Sequence, residues 1–251
     1  MQFGLAKQNL AHDVFICYSR RDSSFARSLE KALSNFTLPK GLPSGQRRLR
    51  VFRDENDFTG IDYYKAIDRH LTASAKLVVL CSPEARRSDF VNDEIRRFRV
   101  ARGADNIVPV LVAGVPNNEA GPGRESELAF PEALCEAIEM PLAASFLGLN
   151  VKKDRLDRGV FYASWYLLLS NILEVSRSDI EQRVRRRKVR SRAITLGLVA
   201  LVVVALSVAL VFALVSRQQA VAARTVAEAN EARARRLYYF TSLKRLTLEC
   251  G

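Results

Sequence analysis

Apolar positions in the first 175 residues alternate between two periods. Residues 14–18, 49–52, 77–81 and 107–112 form short apolar runs of the kind that buried strands carry. Between them, large side chains recur every three or four positions. Phe25, Leu29, Ala32 and Phe36 make one such stripe, behind an Asp22-Ser23 capping signal. Tyr63, Ile67 and Leu71 make a second; Val91, Ile95 and Phe98 make a third, after a short polar loop that opens at Ser82-Pro83. A last helix is expected over residues 162–173, carrying Trp165, Leu168, Leu169 and Leu173. A Pro/Gly-rich loop at 38–45 precedes the second run, a polar Gly/Pro/Asn stretch at 114–127 follows the fourth, and a fifth strand is expected within 141–148. Strands alternating with helices predict an α/β domain built on a parallel sheet of about five strands, in the flavodoxin-like order 2-1-3-4-5.

The pattern changes character after residue 175. Residues 193–215 contain no charge, and a helix of that length extends roughly 35 Å, enough to cross a hydrocarbon core of about 30 Å. The expectation is a single membrane-spanning helix far from the N-terminus, not a signal peptide. Arg183, Arg185, Arg186, Arg187, Lys188, Arg190 and Arg192 precede it, whereas only Arg217 and Arg224 follow closely. The positive-inside rule then keeps the N-terminal domain in the cytoplasm, in the inner membrane of a cell, and exports residues 216–251. The basic run also suits anionic headgroups, so membrane lipid is an expected partner. Ala205, Ala209 and Ala213 recur every four residues, a face that either brings two helices together or only reflects the abundance of alanine in such segments. The Ala- and Arg-rich tail reads as a helix leaving the membrane, or as the remnant of a truncated exported module. The expected organisation is a cytoplasmic domain over 1–175, a basic linker over 176–192, the span over 193–215 and the tail over 216–251.

A net charge of +12 suggests nucleic acid until it is divided along the chain. Residues 1–180 hold 25 Lys+Arg against 23 Asp+Glu, and residues 181–251 hold 14 against 4. The folded part is nearly neutral, so no nucleic-acid partner is expected. Cys17, Cys81, Cys135 and Cys250 form no CxxC pair and the histidines are only His12 and His70, so no metal site is expected either. Cys17 and Cys81 sit in apolar runs, as small hydrophobes suited to a reducing compartment.

In a doubly wound sheet, ligands bind outside the carboxyl ends of the strands where the strand order reverses. That places Tyr18, Arg20, Phe58, Phe90 and Glu94 around one crevice. Phe90 and Glu94 are four apart, so ring and carboxylate share one helix face. Such a pair either grips a planar, positively charged ligand or is an exposed glutamate beside a half-buried ring.

Three segments, read together, carry a resemblance. Residues 13–22 (DVFICYSRRD), 51–60 (VFRDENDFTG) and 82–95, from Ser82-Pro83 through Phe90-Val-Asn-Asp-Glu94-Ile, resemble the first strand, the BB loop and the third-helix motif of a TIR (Toll/interleukin-1 receptor) domain, in order and spacing. The likeness covers roughly residues 11–175, and the following linker and span resemble bacterial TIR proteins. The resemblance implies either an NAD+ hydrolase or cyclase, switched on when domains cluster, or a non-enzymatic adaptor that assembles with other TIR domains. It implies Glu94 as the catalytic glutamate, four residues after an aromatic that is usually Trp and here is Phe90. Tyr18, Ser19 and Arg20 match positions lining the nucleotide site, and Asp54, Phe58 and Gly60 match the loop that gates it and mediates contacts between domains. NAD+ would be a substrate, with no permanently bound cofactor. A receiver-like or flavin-type protein of the same topology lacks support, because no GxGxxG loop follows the first strand.

Overall fold

The computed structural model describes residues 10–38, 47–54 and 61–249, the side chains of 61–66, 187–194, 214 and most of 220–249 excepted. The chain divides into two units, Met1–Arg187 and Lys188–Gly251.

The first unit is a five-stranded, all-parallel sheet: β1 (His12–Cys17), β2 (Val51–Arg53), β3 (Ser74–Cys81), β4 (Ile107–Leu111) and β5 (Ala144–Ser145). The strand order is β2-β1-β3-β4-β5, the order expected from the alternation of periods. Helices cover both faces: α1 (Ser23–Asn35), α2 (Ile61–Thr72), α3 (Pro83–Arg86), α4 (Asp89–Arg102), α5 (Glu132–Ala137) and α6 (Tyr162–Leu173). Because successive strand residues face opposite ways, β1 feeds two cores. Val14 and Ile16 join Leu29 and Leu33 of α1 and Trp165, Leu168 and Leu169 of α6, whereas Phe15 and Cys17 join Leu71 of α2 and Val91, Ile95 and Phe98 of α4. The expected stripes at 25–36, 91–98 and 162–173 are therefore the buried faces of α1, α4 and α6.

Several elements depart from the pattern reading. The segment after Ser82-Pro83 is a short helix, not a polar loop: Ser82 Oγ accepts from the Ala85 amide at 3.0 Å with Pro83 in the first turn, and Ser88 restarts the chain as the cap of α4. Helix α5 is six residues long, too short to show a period in the sequence. Strand β2 ends on Arg53 rather than Phe52, and β3 begins at Ser74, because each strand takes in a charged residue that is buried and paired. Lys76 donates from Nζ to Glu174 Oε1 at 2.6 Å, to Asn106 Oδ1 at 2.8 Å and to the Asp105 carbonyl at 3.3 Å.

The last helix, α7, runs from Arg177 to Glu249. Its first turns belong to the first unit: Ile180 is fully buried in the α1/α6 core and Val184 packs against it. In the second unit the stretch Thr195–Gln219 is long and apolar enough to cross a membrane. It overlaps the 193–215 segment recognised from the sequence.

Candidate functional site

The strand order reverses between β1 and β3, and the loops leaving their carboxyl ends meet there. Tyr18, Ser19 and the 3-10 turn Arg20–Asp22 follow β1; Asp54 follows β2; α3 and the start of α4 follow β3. These supply the described part of the site, while Phe58 and Gly60 lie outside the described residues.

Helix α4 is locked in rotation before it presents anything. Its Asn92, 9% exposed, donates to the carbonyls of Arg86 at 3.1 Å and Ser88 at 3.0 Å, and its Oδ1 accepts from the Ala133 amide at 2.9 Å. One side chain thus joins α3, α4 and α5. With Val91, Ile95 and Phe98 facing the sheet, Phe90 stands 59% exposed and Glu94 is half-buried one turn further on.

The Glu94 carboxyl is pushed up from 4.5 to about 7, first by desolvation and further by the nearby charges of Asp54 and Asp93; a hydrogen bond from the Cys17 thiol and the charge of Arg97 oppose the rise. It keeps some contact with water while protein surrounds its carboxyl, and the direction of the shift follows from that enclosure. Asp93 is ion-paired with Arg97 at 2.8 Å, and Arg97 also reaches Asp68 at 3.3 Å. Arg97 is thus held by two other carboxylates and only partly offsets the Glu94 charge.

Tyr18 and Asp54 are brought together: the Tyr18 hydroxyl donates to the Asp54 carbonyl. The same hydroxyl accepts from Arg53 Nη1 at 3.1 Å, and the guanidinium lies 5.8 Å from the Tyr18 ring centroid. Arg53 Nε donates to Glu30 Oε2 of α1 at 2.7 Å. The buried Arg53 therefore ties α1, β2 and Tyr18 together, a role no local pattern announced. Ser19 is half-buried and Arg20 is exposed.

Asp22 corrects the capping expectation. It occupies the residue before α1, but its side chain makes no cap bond there. Its Oδ2 instead accepts from Ser82 Oγ at 2.6 Å, across the gap between the β1 and β3 loops, while Arg21 pairs with Glu84 at 3.1 Å. Burial pushes the Asp22 carboxyl up, partly offset by the Ser82 bond.

No group of three or more His, Cys, Asp or Glu side chains suited to a metal occurs among the described residues. What the arrangement offers is one partly dehydrated carboxylate, with an exposed ring one helical turn away and a second carboxylate, Asp54, near enough to feel its charge.

Residues 14–129 match the family described as TIR domain, and they include four of the five strands of the parallel sheet in whole or in part. Over 133 residues the chain is 32% identical to the NAD(+) hydrolase ApTIR of an Actinoplanes species; the match takes in 50% of this chain and spans only 18% of that protein's length. The crystal structure of the TIR domain of the Toll-related receptor TRR-2 from Hydra magnipapillata aligns at 20% identity, over 44% of this chain and 82% of that one, with a TM-score of 0.30.

Proposed function

We propose that this is a membrane-anchored TIR-domain signalling protein, of the kind suited to bacterial immunity, that cleaves the nicotinamide–ribose bond of NAD+ when its TIR domains cluster. The observation that carries the reading is Glu94: a half-buried carboxylate at the switch-point crevice, one helical turn from the exposed Phe90 ring, in a chain 32% identical over 133 residues to an NAD(+) hydrolase.

The chemistry needs little else. Glycosidases pair a carboxylate with an acid that protonates the leaving oxygen. In NAD+ the nicotinamide ring is already cationic; as the C1′–N bond breaks, its electron pair stays on the nitrogen and the base leaves neutral. No general acid is required. The Glu94 anion faces the developing oxocarbenium charge and holds ribose hydroxyls, and it then accepts a proton from the water that adds to C1′. Phe90 would lie against the planar base, Tyr18, Ser19 and Arg20 would line the nucleotide, and Asp54, with Phe58 and Gly60, would belong to the gating and contact loop. The apolar stretch Thr195–Gln219 would anchor the chain as a single pass with the TIR domain in the cytoplasm, so that lateral association concentrates the domains.

A second reading, an adaptor acting only through TIR–TIR contact, is favoured by Phe90, whose ring is smaller than the indole usual at this position. The test is nicotinamide release from NAD+ by the full chain in lipid nanodiscs, clustered through a fused oligomeriser. Release by the wild type that is lost in Glu94→Ala is the expected result. Equal release from both would overturn the assignment, and none from either well-folded protein would favour the adaptor.

A further inference from the structure

The turn that follows β1 is tied at both ends and left open in the middle. Its backbone closes on itself, the Asp22 amide donating to the Ser19 carbonyl at 2.8 Å and the Ser23 amide to the Arg20 carbonyl. The entry to α1 is thereby satisfied by backbone, and the Asp22 carboxylate is not needed as a cap. It reaches instead across the gap between the β1 and β3 loops, where Ser82 Oγ donates to Oδ2 at 2.6 Å. Ser82 is itself fixed, buried and accepting from the Ala85 amide at 3.0 Å. At the other end of the turn, the Tyr18 hydroxyl is bound to the Asp54 carbonyl and to Arg53. Between these anchors stand Ser19 and Arg20, whose side chains have no hydrogen-bonding or ion-pair partner among the described residues. The Arg21–Glu84 pair runs beside the Asp22 bond, but the Arg21 side chain is 77% exposed, and such pairs hold little. Asp22 is the anchor on that side.

Resting on the reading of this crevice as an NAD+ site, we propose that Asp22 is a positioning residue for the dinucleotide: its bond to Ser82 sets the 3-10 turn Arg20–Asp22 so that the Arg20 guanidinium meets the pyrophosphate. That group carries the negative charge of NAD+, and a guanidinium grips phosphate oxygens through paired N–H groups, which demands a set direction of approach. No neighbouring side chain supplies that direction to Arg20, so it comes from the backbone of the turn. A carboxylate kept only for the fold would gain more as a solvated cap than in a half-buried place where burial disfavours its charge.

The test is NAD+ binding by the full chain in nanodiscs, clustered as before and carrying Glu94→Gln so that no substrate is consumed. Into this parent go Arg20→Ala, Asp22→Ala, Asp22→Asn, Ser82→Ala and the Arg20→Ala/Asp22→Ala pair, each checked for folding by thermal unfolding. Arg20→Ala and Asp22→Ala should each weaken binding roughly tenfold, the worth of one charge-assisted hydrogen bond. Ser82→Ala breaks the same bond from its other side and should match Asp22→Ala. The pair should be no weaker than either single variant, because Asp22 acts through Arg20. Asp22→Asn keeps an oxygen that accepts from Ser82 and should bind like the parent. A merely structural role would lower the unfolding midpoint and leave the dissociation constant where it was. Binding unchanged in Asp22→Ala, losses that add in the pair, or an Asn variant as weak as Ala overturns the proposal. Nicotinamide release by the chain with Glu94 restored separates the two readings. Release with unaltered binding in Asp22→Ala removes the positioning role alone. No release, with binding weakened as described, removes the hydrolase reading and leaves the positioning role standing. A parent that binds no NAD+ overturns both.

Discussion

Glu94 ionises where its charge is poorly hydrated, and folding stability should record that. Its carboxyl titrates at about 7 when folded against 4.5 in its ordinary state, so folding takes up a proton between those values. Stability contributed by the protonated form is complete below about pH 4.5, declines as pH climbs toward 7, and is level above it. Glu94→Gln should therefore stabilise the protein by about 1–3 kcal/mol at pH 8 and change little at pH 4, read from thermal unfolding at the two pH values. A group whose removal stabilises the fold is kept for something other than the fold. Glu94 and Phe90 were legible because a spacing of four on a helix with a clear buried stripe fixes which residues share a face. Arg53, Lys76 and Asp22 were not. Each looks ordinary in its own segment and takes its role from a partner far along the chain: Glu30, Glu174 and Ser82.

Elements were easiest to recognise where a stripe ran for three turns. Helix α6 was expected over the residues it occupies, and α1 and α4 followed from their apolar spacing, whereas α3 and α5 complete too few turns to repeat anything. Their boundaries depend on caps, and the Ser82 cap has a second duty, since the hydroxyl that accepts from Ala85 also donates to Asp22. Ser82→Ala should cost about 1–2 kcal/mol, at the upper end of cap losses, because it also leaves a half-buried carboxylate without its donor. Denaturant midpoints of the single variant and of Ser82→Ala with Asp22→Asn would separate the two parts, the double variant recovering some of the loss. The first turns of α7 make the matching case at the other end of the unit. Ile180 is fully buried in the α1/α6 core, and Ile180→Ala should lower stability by about 2–4 kcal/mol, measured by thermal unfolding in detergent.

At the scale of the molecule, the uncharged stretch and its basic flank were plain in the sequence, because a membrane demands length and apolarity more than arrangement. If Thr195–Gln219 spans a bilayer, Val203→Arg with Leu206→Arg should abolish stable insertion, each arginine near the centre costing about 2.5–3.5 kcal/mol on insertion scales. Retention of the double variant in carbonate-washed membranes would argue against the span. What the sequence could not show is how the first unit finishes before that stretch begins. Glu174, closing α6, holds a left-handed backbone (φ 54°, ψ 38°) that glycine adopts without strain. A thermostability engineer scanning backbone angles would replace it with glycine first. That exchange would also remove the only carboxylate paired with Lys76 among the described residues, the Lys76 side chain being 7% exposed within β3. Backbone geometry recommends one residue at this position and charge neutrality another, so the usual remedy for a strained helix end is expected to fail here.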